Sequence, residues 1–423
     1  MSEDRAPSAA FVRNAAGSLA CESTELRALA ERHGTPLYVY SAASFRGRYR
    51  RLGAACREHL AGLDPIVAYS VKACSSLGIL KRLAAEGCGF DVVSGGELLR
   101  VARAGGDLGK TILAGVGKTD AELELALEAG VFQINVESAG ELARLDAAAK
   151  RRRVRARAAL RVNPAIDPKT HPHLATSAPT SKFGLELDDA RGALAAPERF
   201  PNVEFVGLHL HLGSMLRDAH LWEEAFERIA PLLALFPGGS PKTLDVGGGI
   251  AIGVGSEPEL APEKWLTRIG PLLRRVGARP ILEPGRWIAA PSGALLTRVL
   301  DVKNAGGRRI VVVDAAMNDL IRPALYGAVH PIELAARVER APRAVDVVGP
   351  VCESGDFLGK NITLPDPQPG DLLAILDAGA YGFSMASTYN SRPRAAEVLV
   401  EKGGDVLLRR RETFDDVVRG ELL

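Results

Sequence analysis

Lys72 stands just past the run Ile66-Val67-Ala68-Tyr69, which reads as a short, buried strand of apolar and β-branched residues. An amine at the carboxyl end of such a strand is costly to bury and shifts its pKa readily, which suits imine formation with an aldehyde. Taken alone, a strand-end lysine reads more often as a snorkelling surface side chain, and it gains weight only from its company. Four further segments read as parts of the same site: His209-Leu210-His211-Leu212-Gly213-Ser214, Asp245-Val246-Gly247-Gly248-Gly249, Glu283-Pro284-Gly285-Arg286 and Cys352-Glu353-Ser354-Gly355-Asp356. Without side chains, Gly247, Gly248 and Gly249 let backbone N–H groups approach a phosphate, although a tight turn explains them as well. Glu283 ends a strand and is followed by a Pro-Gly turn that would hold its carboxylate at the strand end. There it could keep a pyridine nitrogen protonated; the alternative is a structural ion pair with Arg286. His209 and His211 alternate along one strand and share a face, where one imidazole could stack on a planar ring. A hydrogen-bonded core histidine is the other reading. Each of these segments has a physical role if the ligand is pyridoxal phosphate.

These residues need a scaffold that gathers strand ends. From about Ser44 to Ala290 the chain alternates helical patterns with short apolar strands. Phe45 to Ala61 is amphipathic, with Ser44 placed to cap it. Strands follow at Ile66 to Tyr69, Gly89 to Val93, Thr111 to Ala114, Phe132 to Val136, Ala158 to Val162, Val203 to His209, Thr243 to Val246 and Arg279 to Glu283. Eight strands with helical spacers over this length predict an α/β fold, a closed (β/α)8 TIM-type barrel over 44–291, with chemistry in the loops after its strands. Beyond Pro291 strands recur with few helices: Leu295 to Leu300, Arg309 to Asp314, Arg343 to Val348, Asp371 to Leu376 and Ala396 to Val400. With the early strand Pro36 to Tyr40 they predict a second, mainly β domain, discontinuous over 1–43 and 292–423.

The bulk properties narrow the partners. Of 423 residues, 47% are hydrophobic and 25% charged, as in an ordinary soluble protein. A net charge of +2 gives no electrostatic case for nucleic acid. The basic run Lys150 to Arg153 reads as a solvated helix end. No apolar run approaches a membrane span, and the polar start Met1-Ser2-Glu3-Asp4-Arg5 lacks a signal peptide's apolar core. Five scattered cysteines, Cys21, Cys56, Cys74, Cys88 and Cys352, fit reduced thiols in a cytoplasmic enzyme better than a disulfide framework. No metal is expected; His171 and His173 read as loop residues.

In family order, the motifs resemble those of the ornithine/diaminopimelate/arginine decarboxylase family, pyridoxal-phosphate enzymes with an alanine-racemase-like fold. The likeness runs from about Leu26 to the C-terminus. It is carried also by Gly89-Phe90-Asp91-Val92-Val93-Ser94-Gly95-Gly96-Glu97-Leu98, Ser181-Lys182-Phe183-Gly184, Arg322-Pro323-Ala324-Leu325-Tyr326, Ala378-Gly379-Ala380-Tyr381-Gly382-Phe383 and Tyr389-Asn390-Ser391-Arg392-Pro393. The resemblance implies that Lys72 carries pyridoxal 5'-phosphate, His211 stacks on its ring and Glu283 pairs with its nitrogen. It places Ser214, Gly247, Gly248, Gly249, Gly285, Arg286 and Tyr381 around the phosphate. Arg322 and Tyr326 are implied to hold the distal end of a small amino-acid substrate, with Arg286, Tyr381 and Glu353 as further contacts. Cys352 matches the proton donor, reaching the site from the second subunit of a homodimer.

A substrate with a carboxylate and an ammonium at each end needs one cation and one carboxylate for the end that does not react, which Arg322 and Glu353 supply. That favours meso-diaminopimelate, decarboxylated to L-lysine, over ornithine or lysine, which need only an acidic anchor. Carboxynorspermidine, a carrier-bound glutamyl group or a catalytically dead regulatory role are the alternatives. Two features depart from the family pattern: Cys74, where Asn is usual, and the loop from Thr170 to Thr180.

Overall fold

The computed structural model describes residues 10–167, 177, 180–236 and 239–422. His171, His173 and all of the 170–180 loop except Ser177 and Thr180 lie outside the described residues. The chain divides into two compact units: 48–253 with 257–287, and 10–47 with 254–256 and 288–422.

The first unit is a closed barrel of eight parallel strands. In chain order they are β1 (Ile66–Ser70), β2 (Gly89–Val92), β3 (Thr111–Leu113), β4 (Gln133–Val136), β5 (Ala156–Arg161), β6 (Val203–His209), β7 (Thr243–Asp245) and β8 (Arg279–Leu282). Each coincides, within a residue or two at its ends, with a strand expected from the sequence. Each run is short and apolar because strands of a parallel barrel are covered on the outside by helices and filled from within. Caps start helices directly after strands. Ser94 accepts from Glu97 N–H, Ser138 from Glu141 N–H, and Thr119 forms a capping box with Glu122. Gly130, in the left-handed region at φ 66°, ends the helix Asp120–Ala129.

The barrel interior changes character along its axis. Ile66, Ala68, Ile112 and Ile281 form one buried apolar cluster, with Phe132 against it. Further along the strands the filling is polar. Thr243 Oγ1 donates to Gln133 Oε1 at 2.9 Å, Gln133 Nε2 to Asn135 Oδ1 at 2.8 Å, and Asn135 Nδ2 to Asp245 Oδ2 at 3.0 Å. Strands β4 and β7 are not neighbours in the barrel order, so the first and last of these bonds cross its interior.

The second unit is mainly β. A three-stranded sheet comprises Phe11–Arg13, Leu19–Cys21 and Thr24–Glu25. In a larger nine-stranded sheet, Leu37–Ser41 lies between Gly293–Ala305, antiparallel, and Ala396–Glu401, parallel. The early strand therefore joins strands from the far end of the chain. Its core includes Leu26, Leu29, Leu37, Val39, Leu296 and Val398.

The expected cap at Ser44 is corrected. The helix is Ala42–His59, and Ser41 serves its start by accepting Ser44 N–H at 3.0 Å. Ser44 Oγ instead meets Ser292 Oγ at 2.7 Å. The basic run ends the helix Ala139–Arg152, where Arg151 and Arg152 pair with Glu124 and Glu128. Among the described residues, no helix is long and apolar enough to cross a membrane.

Candidate active site

Five strand ends of the barrel unit, those of β1, β2, β6, β7 and β8, carry the candidate residues. Lys72 lies in the short 3-10 turn Val71–Ala73 after β1, and its Nζ donates to Asp91 Oδ2 of β2 at 2.8 Å. That turn is tied to the loop after β8. Ser70 N–H donates to Pro284 O, Ser70 Oγ to Glu283 O, and a Cβ at Gly285 would come within 3.0 Å of Ser70 Cβ.

The glycine turn after β7 is forced by close backbone approach. A Cβ at Gly248 would fall 2.0 Å from Glu283 O, and one at Gly249 2.1 Å from Gly213 O. Gly247 N–H is taken by Asp245 Oδ1 at 3.0 Å. The N–H groups of Gly248 and Gly249 make no hydrogen bond among the described residues, so two backbone donors remain for an anion. Ser214 Oγ accepts from Arg286 Nε at 3.1 Å nearby.

Glu283 faces imidazoles: Oε2 lies 3.4 Å from His209 Nε2 and 3.6 Å from His211 Nδ1. Burial alone would raise its pKa, but His209, His211 and Lys72 outweigh it and hold the carboxylate well below its usual range. Asp245 moves the other way, raised well above the usual value by burial and by the adjacent Glu283 carboxylate. Within the pair, negative charge is thus favoured on Glu283 over Asp245. His211 is lowered by burial, with Lys72 and Arg161 adding to the effect against Glu283, so its ring is neutral. Glu283 Oε1 is buried without a hydrogen-bond partner among the described residues. An ionised oxygen so placed fits a donor such as a ring N–H, and the two glycine N–H groups fit a phosphate. The residues present therefore suit pyridoxal phosphate.

Several polar residues beside these stand in the quoted motifs or near them but were given no role from the sequence. Asp91 pairs with Lys72, and Asp245 sits beside Glu283; each is an isolated acid within an apolar strand run, the signal that could have found it. Burial raises Glu97 to about 7 against the Val93 N–H that it accepts. Arg161 pairs with Glu137 at 2.6 Å and lies over the Phe183 ring at 4.5 Å, while Glu137 Oε2 accepts Gly184 N–H. These contacts hold the Ser181-Lys182-Phe183-Gly184 motif. The main chain at Cys74 receives the Tyr69 hydroxyl at 3.2 Å.

In the β unit, Arg322 begins the short helix Arg322–Tyr326 and is buried, with Tyr326 half-buried. Cys352 and Glu353 are exposed on a loop pinned by Asp356, which accepts Met317 N–H and Val351 N–H, each at 2.7 Å. Cys352 N–H donates to Asn390 Oδ1. No cysteine is in a disulfide, and only Cys352 is exposed. Tyr381 adopts φ 57°, a left-handed conformation rare for an aromatic residue and associated with functional positions. The preceding Gly379 is forced, since a Cβ there would fall 2.0 Å from Ala289 O. Lys72, His211, Ser214, Gly247, Gly248, Gly249, Glu283, Gly285 and Arg286 all lie in the barrel unit. Arg322, Tyr326, Cys352, Glu353 and Tyr381 lie in the β unit.

Residues 48–290 match the family described as pyridoxal-dependent decarboxylase, pyridoxal binding domain. Over 409 residues the chain is 46% identical to a diaminopimelate decarboxylase of Neisseria meningitidis, covering 96% of this chain and 99% of that protein. A crystal structure of diaminopimelate decarboxylase from Helicobacter pylori complexed with L-lysine superposes with a TM-score of 0.87 at 38% identity, covering 93% and 98% of the two chains. Another, from M. jannaschii in co-complex with L-lysine, gives 0.91 at 34% identity, covering 98% of each.

Proposed function

The chain belongs to the pyridoxal-dependent decarboxylase family, and we propose that it converts meso-diaminopimelate to L-lysine and CO2 with pyridoxal 5'-phosphate as its cofactor. The observation that carries this reading is likeness to diaminopimelate decarboxylases along nearly the whole chain, through both the barrel and the β unit. When bound, the cofactor supplies an aldehyde for the substrate amine and a ring that accepts the electron pair released with CO2.

Each residue then has a definite task. Lys72 provides the amine that attaches the cofactor, and Asp91 holds that amine in place as an ammonium beforehand. Glu283, kept ionised by its imidazole neighbours, accepts the ring N–H. Neutral His211 offers a flat face for stacking. Gly248, Gly249, Ser214, Arg286 and Tyr381 receive the phosphate. Arg322 pairs with the distal carboxylate, with Tyr326 beside it, and Glu353 takes the distal ammonium. Cys352 returns a proton to the carbon that has lost CO2. The enzyme acts in the cytoplasm, where its thiols stay reduced.

The substrate is tested by comparing meso-diaminopimelate, ornithine, lysine, arginine and carboxynorspermidine by kcat/KM on one preparation. The pairing with Arg322 is worth roughly 1.5–3 kcal/mol as a hydrogen bond to a charged group. Arg322→Ala is therefore expected to cut kcat/KM for meso-diaminopimelate by about ten-fold to over a hundred-fold. Substrates without a distal carboxylate should lose far less. Faster turnover of ornithine or carboxynorspermidine by the wild type would rule out this substrate.

We also propose a homodimer in which Cys352 and Glu353 of one subunit complete the site of the other. Their exposure on a pinned loop supports this, because an exposed thiol and carboxylate held in place are accessible to a second copy of the chain. Inactive Lys72→Ala and Cys352→Ala proteins, mixed and allowed to exchange, should recover about a quarter of wild-type activity, from the one intact site of each mixed dimer. No recovery despite proven exchange would exclude shared sites.

A further inference from the structure

Arg322 Nη1 lies 2.9 Å from His330 Nε2, and His330 Nδ1 lies 3.0 Å from Leu376 O; both side chains are buried. A carbonyl oxygen only accepts, so Nδ1 carries the ring proton. A guanidinium only donates, so Nε2 presents its lone pair to Arg322. This fixes one tautomer of a neutral imidazole.

His330 is itself held by the main chain. Gly327, at φ 59°, ends the helix Arg322–Tyr326, and Ala328 N–H returns to Arg322 O. Leu376 N–H donates to Pro331 O, so Leu376 grips this segment through both its N–H and its C=O. The imidazole thus connects the Arg322–Tyr326 motif to the segment that leads into Ala378–Tyr381.

We infer that His330 is a positioning residue for Arg322 and a determinant of selectivity for substrates with a distal carboxylate. This rests on the reading of Arg322 as the distal-carboxylate anchor. A guanidinium recognises a carboxylate through a planar fork, so its orientation matters as much as its charge. A carboxylate at position 330 would orient the fork and also cancel the charge that the substrate needs. A neutral imidazole orients the fork and leaves the charge in place.

The test uses competitive inhibition of the holoenzyme by L-lysine and by cadaverine. L-lysine engaged through its side-chain amine keeps a carboxylate at the distal end, whereas cadaverine has none. The ratio of the two inhibition constants therefore reports the anchor and not the chemistry. Arg322→Ala should abolish the preference for L-lysine. His330→Asn keeps an atom near Nδ1 but none at Nε2, and should weaken the preference about ten-fold, raising KM for the substrate more than it changes kcat. His330→Gln, whose amide oxygen falls near Nε2, should restore most of the preference.

A folded, cofactor-loaded His330→Asn protein with a wild-type ratio would overturn the inference while leaving the Arg322 assignment intact. An unchanged ratio in Arg322→Ala would overturn that assignment and the inference with it. A second measurement does not depend on the variant folding. Nitrogen-15 spectra of histidine-labelled wild-type holoenzyme should show His330 protonated at Nδ1 and bare at Nε2. The opposite tautomer would overturn the proposal.

Discussion

Lys72→Ala protein should retain its fold but lose decarboxylation by on the order of 10⁴-fold or more, the scale seen when a covalent nucleophile is removed. Borohydride treatment of the wild type followed by a denaturing wash should leave the cofactor covalently attached, and neither Lys72→Ala nor Lys72→Arg protein should carry it. The two variants separate chemistry from stability. Lys72 Nζ donates to the fully buried Asp91, so alanine strands a carboxylate at a cost of about 1–3 kcal/mol. Arginine keeps the ion pair while removing the nucleophilic amine, so its melting temperature should stay nearer that of the wild type. Complete release of cofactor from the borohydride-treated wild type would rule out Lys72 as the attachment point.

Glu283→Gln should reduce kcat by roughly 10²–10³-fold, the usual loss when a preorganised electrostatic partner is removed, with bound cofactor little changed. The amide has the size of the carboxylate but not its charge, so it cannot keep a ring nitrogen protonated. Asp245 does not simply replace it. Its raised pKa stems from burial first and from Glu283 second, so losing the neighbour relieves only part of the shift. Measurement of kcat at saturating substrate, alongside cofactor content after alkaline release, separates the two effects. A variant with full cofactor and kcat within ten-fold of wild type would remove Glu283 from this role.

The barrel was legible because each strand is a compact apolar run between turn and helix signals, and eight such runs leave few other architectures. The second unit was legible through one clue, an early strand with no barrel partner, and Leu37–Ser41 does pair with strands from beyond residue 291. What escaped depends on contacts that local pattern does not encode. Asn135 and Asp245 meet across 110 residues of sequence, and each looks locally like a polar interruption in a strand. His330 is a lone histidine with no spacing to mark it, and its meaning lies in Arg322 and Leu376. The cap is a subtler case. Ser41 and Ser44 both flank Ala42-Ala43, and only the backbone settles which serine stands outside the first turn.

The placement of Leu37–Ser41 also bears on how the protein is made. Residues 10–47 leave the ribosome before the barrel sequence, yet their strand pairs with Gly293–Ala305 on one side and Ala396–Glu401 on the other. At ordinary translation rates the interval between synthesis of residue 41 and of residue 396 is on the order of tens of seconds. Both edges of this apolar strand stay open while the barrel sequence is produced, and one stays open until Ala396–Glu401 is made; an unpaired strand of this kind is prone to the wrong partner. Closing the larger sheet is therefore among the last events of folding, and nascent chains stalled before residue 293 carry this strand unsheltered.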